Sequence, residues 1–360
     1  MIVYIIFIAL LFLQMFIDKL TSSNRNISKK YQSDGILIYS KPRLNITMKI
    51  AILLIVLFSS IRYDVGWDYM AYYETISLNR ETNILLNNEY LTILFVKIAR
   101  WMKEPQLYFA LNSCITIFLI MSTIERYSKD IWVSIIFFVT FPLFFLNSLS
   151  VVRNFTAIAI IFYGFKYIIE DKLFKYIVIV IIATLFHTSA IVALTFYFFK
   201  YFRFDKIKYI VIVAILPILK EIITYLILRY LPRYSPYLGK STIIGGTKAI
   251  YVLLFVLIFF VFLKNKMNLN ENNIISISFN IYLCGMCIYL VFFSNGTLGH
   301  RLSMYGTMHI LLLLPEMLIV FKKRDRVFIK LVLYMMCIVF FFYTIFIGRD
   351  TYIPYRLFFR

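Results

Sequence analysis

Apolar residues in this 360-residue chain come in blocks of about 15 to 22, and few folds accommodate such blocks. An α-helix needs roughly 20 apolar residues to cross a hydrocarbon core about 30 Å thick. Inside that core only the chain itself can satisfy backbone N–H and C=O groups, so only helices or a closed barrel cross it. Barrel strands would be short and alternating, whereas these blocks are continuous. Composition agrees: 62% of the residues are hydrophobic and mean hydropathy is +0.83, above the balance of a soluble domain. The sequence predicts an all-α, polytopic transmembrane helical bundle of about 11–12 spans, a single transmembrane domain over residues 1–360.

The expected spans are about 1–17, 48–61, 105–124, 131–148, 152–169, 174–200, 207–228, 249–264, 274–293, 302–321 and 327–347. The first has no basic leader and no small-residue cleavage site, so it reads as a retained span. A net charge of +20 would suggest nucleic acid in a soluble protein. Here it reads as basic loops that stay cytoplasmic, and no nucleic-acid partner is expected. Cys114, Cys284, Cys287 and Cys337 all lie in apolar runs. With no second pair or nearby His, the C-x-x-C at 284–287 is a poor zinc site.

Charge also sets the topology. The segment 18–47 and those around Lys172, Lys200 to Lys208, Lys264 to Lys266 and Lys322 to Arg326 all belong on the cytoplasmic side. The stretch 174–200 therefore crosses twice or not at all, and it is too short for two full spans. Two short, tilted or re-entrant helices meeting at His187 satisfy the parity, and re-entrant backbone is tolerated where it lines a cavity. Residues 89–103, interrupted by Lys97, Arg100 and Lys103, read as an amphipathic helix at the interface. Both termini then fall outside, with polar segments at 62–89, 148–154, 187–189, 230–248 and 296–301.

These outer segments hold the residues capable of chemistry. In IRYDVGWDYMAYYE (61–74) an arginine leaves the second span, Gly66 permits a tight turn, and Asp68, Tyr69, Tyr72 and Tyr73 follow. Trp67 and the tyrosines also suit an interfacial aromatic belt. Arg153 stands at a membrane boundary, where it either snorkels or binds an anion. Arg301 does the same in GTLGHRLSMYG, and helical spacing places Arg301, Tyr305 and His309 on one face. His187 is a candidate general base or a hydrogen-bond partner for phosphate. Clustered guanidinium groups grip phosphate through bidentate bonds, and tyrosines stack on sugars, so a lipid-linked pyrophosphate sugar fits. Metal binding has less support, because the outer loops carry no D-x-D. Neither a Gly-rich nucleotide loop nor a Ser-His-Asp spacing is visible.

Taken in order, RYDVGWDYMAYY, SVVRNFTAIAI, LFHTSAI, HRLSMYG and YIPYR resemble the EpsG family of Wzy-like exopolysaccharide and O-antigen polymerases, over about residues 50–356. The resemblance implies a glycosyltransferase at the outer face of the cytoplasmic membrane, with a fold related to the C-type glycosyltransferases. It would transfer a growing glycan from undecaprenyl pyrophosphate onto a lipid-linked oligosaccharide repeat unit, using no nucleotide sugar, no cofactor and no metal. A chain-length regulator is a candidate partner. The implied catalytic residues are Asp68, His187, Arg153 and Arg301. The implied substrate-binding residues are Arg62, Tyr69, Ser189, Tyr305 and Asn154, the last standing where relatives often carry Gln. Arg62 also suits a structural pairing with Asp64 or Asp68. Rival readings are a flippase for lipid-linked sugars, needing cations along a path to both faces, and a membrane O-acyltransferase, for which His309 is the only candidate.

Overall fold

The computed structural model describes residues 1–22, 31–33, 36–38, 44–79, 89–202, 206–230, 247–263, 267, 273–292 and 296–359. Much of the basic segment 18–47 and of the outer segment 230–248 lies outside them. The described chain is helical almost throughout: α1 (Ile2–Ser22), α2 (Ile46–Ser60), α3 (Tyr69–Ser77), α4 (Tyr90–Trp101), α5 (Gln106–Tyr127), α6 (Ile131–Thr140), α7 (Phe145–Ser150), α8 (Val152–Ile169) and α9 (Leu173–Phe186). A 3-10 helix (Thr188–Lys200) follows, then α10 (Lys206–Tyr230), α11 (Thr247–Leu263), α12 (Asn273–Val291), α13 (Gly296–Thr307), α14 (Ile310–Ile319), α15 (Lys323–Ile347) and α16 (Arg349–Tyr352). Two short antiparallel pairs complete it: Tyr31–Ser33 with Ile36–Ile38, and Arg62–Tyr63 with Arg356–Leu357.

The protein is a multi-pass helical membrane protein. Five described helices, α1, α5, α8, α12 and α15, are long and apolar enough to cross a membrane. The bent pair α13–α14 is together as apolar as these helices, with the geometry of a broken span or a re-entrant loop. Other expected spans correspond to shorter apolar helices, among them α2, α6, α9, the 3-10 helix and α11. At 1.5 Å per residue, the 15 residues of α2 reach only about 22 Å.

The parity argument meets its geometry at residues 173–200. Here α9 ends at His187 and the chain turns back as the 3-10 helix. Tyr176 donates to the Ala193 carbonyl at 2.7 Å and Tyr197 to Asp171 at 2.6 Å. Lys200 also bonds Asp171. The two halves therefore form a hairpin with both feet at the basic end and His187 at the tip. The amphipathic segment is the 12-residue α4, about 18 Å long and too short to span.

Packing brings the arginine-bearing helices to one end of the bundle. Against α8 lie α5 on one side and α9 on the other; its start, carrying Arg153, faces the hairpin tip. At the crossing of α12 and α13, a Cβ on Gly306 would lie 2.5 Å from the Ile281 carbonyl oxygen, and one on Gly285 2.7 Å from that of Ser303. Only glycine lets these backbones approach so closely, and the contact fixes the helix that presents Arg301 and Tyr305. Gly66 adopts φ +112° with its α-carbon against the Leu149 carbonyl, which folds the 61–68 turn down onto α7.

Of the three residues expected on one face, Tyr305 and His309 both face α8, Tyr305 through Asn154 and His309 through Phe162 and Phe165, while Arg301 reaches Asp68 instead. The axis bends by 47° between Thr307 and Ile310, and His309 lies in the apolar core. There its Nδ1 lies 2.9 Å from Ser278 Oγ, and its ring meets Phe162 and Phe165 edge-on. That enclosure gives His309 no room for an acyl-donor route.

Candidate active site

Glu89 stands at the centre of the arginine-rich end, as the N-cap of α4, and is 1% exposed. Its Oε2 accepts from Arg153 at 2.5 Å. The other oxygen accepts from His187 Nδ1 at 2.7 Å and from the Thr188 backbone N–H at 3.2 Å. Thr92, one turn along α4, donates to the Phe186 carbonyl at 2.8 Å, which clamps this helix to the hairpin tip. A carboxylate from one segment thus holds a guanidinium from a second and an imidazole from a third.

Electrostatics follow from that geometry. Burial pushes the Glu89 carboxyl up, but the His187 hydrogen bond, the His187 and Arg153 charges and the Thr188 N–H outweigh it and hold the group below its ordinary value. At the hairpin tip, burial pushes His187 down; Glu89 opposes this, while Arg153 and Arg301 add to it. Both shifts describe one state: ionised Glu89 accepting Nδ1–H from a neutral imidazole. Nε2 then carries the lone pair, with no hydrogen-bond partner among the described residues.

Two further groups close around this triad. Asp68, the N-cap of α3, lies 3.9 Å from Arg301, with both side chains about one-third exposed. Burial raises the Asp68 carboxyl, and Arg301 and Arg153 pull it back, so both arginines act on the same small volume. Behind them Ser189 Oγ and Tyr305 Oη lie 3.0 Å apart, and Tyr305 donates to Asn154 Oδ1 at 3.0 Å. The buried Asn154 Nδ2 has no hydrogen-bond partner. Phosphate, needing several donors, and a sugar hydroxyl, needing a base, both find partners here. Among the described residues no group of three or more His, Cys, Asp or Glu side chains is placed to hold a metal ion.

The same residues fall within the match to a known family, whose model covers residues 45–357. The chain belongs to the EpsG family. No curated protein and no solved structure matches it.

In this EpsG-family protein two of the sequence-derived site residues stand elsewhere. Arg62 is 1% exposed, and its guanidinium is spent on backbone. Nε donates to the Val65 carbonyl and a terminal nitrogen to that of Leu149, both at 3.1 Å, and the other terminal nitrogen bonds Ser59. Three of its five N–H donors are taken by carbonyls, and burial keeps the rest from a pyrophosphate. Arg62 pairs with neither aspartate: Asp64 meets Arg356 and Asp68 meets Arg301. Tyr69 is likewise enclosed, donating to Gln106 at 2.7 Å and stacking on Phe109. Arg62→Ala is expected to strand three buried carbonyls at about 1–3 kcal/mol each. The measurable outcome is loss of folded protein from detergent extracts, and Arg62→Lys should not rescue it.

Glu89 is the residue that sequence reasoning missed. It closes a polar stretch and opens an amphipathic helix, so its contacts with residues 64 and 98 positions away leave no local pattern. The available signal is an acidic residue directly before a helix that needs an N-terminal cap.

Proposed function

We propose that this EpsG-family protein polymerises a bacterial surface polysaccharide at the outer face of the cytoplasmic membrane. The donor is a growing glycan on undecaprenyl pyrophosphate, and the acceptor is a hydroxyl on a lipid-linked repeat unit. The observation that carries this reading is the Arg153–Glu89–His187 chain, with Arg301 close enough to act on the same groups. Family membership supports the reaction class: exopolysaccharide or O-antigen polymerases.

In this mechanism Nε2 of neutral His187 takes the proton of the acceptor hydroxyl as its oxygen attacks the anomeric carbon of the donor. The bond from that carbon to the pyrophosphate oxygen breaks, and its electron pair leaves with the lipid carrier. Arg301 and Arg153 meet the charge that develops there. Asp68 covers Arg301 until pyrophosphate takes its place. Ser189, Tyr305 and Asn154 offer hydroxyl and amide groups to the sugars.

The direct test is purified protein with a lipid-linked repeat unit as sole substrate. A ladder of longer glycans supports polymerisation, whereas unchanged substrate recovered across the bilayer overturns it. The pH profile gives a second check. A base works only when neutral, and His187 sits below its ordinary value of 6.5. Polymerisation is therefore expected to persist at neutral pH and to fall off only as pH drops below 6.5. Glu89→Gln removes an influence that raises the imidazole pKa, so it should move this acid limb further down.

A further inference from the structure

At the end of the bundle opposite the site, the last turns of α5 and α8 border a cleft of about 300 Å³. Thirteen residues separate Arg153 from Lys166 on α8, so the cleft lies about 20 Å from the site. Its walls change character along the helices. Along α5, Phe118, 66% exposed, marks the apolar end, Ser122 and Thr123 come next, and Arg126 follows, with Lys166 opposite on α8.

The cations are held in place. A lysine that merely snorkels extends its ammonium into water. Lys166 instead bonds the Tyr163 hydroxyl at 2.6 Å and lies over the Tyr163 and Tyr167 rings at 4.1 and 4.5 Å. Among the described residues it has no carboxylate partner. Arg126 makes a long contact of 3.8 Å with Glu170, whose closer partner is Lys172 at 2.8 Å, and hydrogen-bonds the Tyr127 side chain. Glu125 shares the rim, so the two cations leave the lining one positive charge in excess.

An exposed apolar side chain, then hydroxyls, then two cations in order along the helices match one membrane component: a phosphodiester headgroup with an acyl chain beside it. Basic pockets between spans on the cytoplasmic side take anionic headgroups. We propose that this cleft is a binding site for an anionic glycerophospholipid, with Arg126 and Lys166 on the phosphate and the acyl chain along Phe118. It is separate from the polymerase site and does not depend on that reading.

The test is native mass spectrometry of the full chain with phosphatidylglycerol, with zwitterionic phosphatidylethanolamine, and with inorganic phosphate as competitor. Phosphatidylglycerol is expected to stay bound at collision energies that strip phosphatidylethanolamine. Lys166→Gln and Arg126→Gln are each expected to weaken retention about fivefold, the effect of one interfacial cation. Arg324→Ala, at an exposed basic position, should leave retention unchanged. Equal loss with Arg324→Ala would mean nonspecific charge, and unchanged retention in both cleft variants would mean no site here. Displacement by millimolar inorganic phosphate would mean a free-anion site. Each of these three results overturns the proposal.

Discussion

Replacing His187 with alanine is expected to lower polymerisation by about 10²- to 10⁴-fold, the usual contribution of a positioned general base, while leaving the protein folded. The side chain lies at a hairpin tip, and its bond is to Glu89, which keeps Arg153 as a partner after the substitution. The readout is product-ladder length per unit of folded protein, checked by size-exclusion profile. His187→Asn tests the point more sharply: an amide can replace the Nδ1 donor but supplies no base, so it should retain the fold and remain inactive. If alanine still gives a full ladder, His187 is not the base, and Asp68 becomes the group to test.

A second large effect is expected at Glu89. Removing one member of a buried ion pair costs about 3–5 kcal/mol, because the charge left behind has no counter-ion. Glu89→Ala should therefore reduce both melting temperature and polymer yield. Glu89→Gln keeps one oxygen to accept from His187 or Thr188 but no charge for Arg153, so it should fold better than the alanine variant and keep a reduced, measurable activity. A wild-type melting temperature and a wild-type ladder in Glu89→Ala would remove Glu89 from the centre of the site.

How far the sequence carries this protein depends on the kind of constraint. Membrane crossing is written in composition, so the helical class follows from apolar blocks alone. The break at His187 was legible because the basic segments near Lys172 and Lys200 demand the same side. Arg153, Arg301 and Asp68 stood out because charge at a span end is costly without a purpose. Arg62 stood out for the same reason, and there the cost is met differently: the carbonyls of Ser59 and Val65 are local, but that of Leu149 is 87 residues away. Glu89 fails in the opposite sense, since an acidic residue before a helix attracts no notice until Arg153 and His187 are folded onto it. His309 shares the α8-facing side of Tyr305 but lies deeper, among Phe162 and Phe165, where nothing polar except Ser278 meets it.

The 3-10 winding of Thr188–Lys200 bears on how this hairpin tolerates insertion and deletion. At about 2.0 Å per residue, its 13 residues cover about 26 Å, where α winding would cover about 20 Å. The return arm reaches Asp171 with fewer residues than a normal helix would use. Roughly four added residues wound as α-helix would cover the same distance, so lengthening this arm need not move the tip. Shortening it has no such reserve, because the chain is already drawn close to its helical limit. Relatives are thus expected to differ here by gains of about one helical turn and seldom by losses, with the histidine held at the same height.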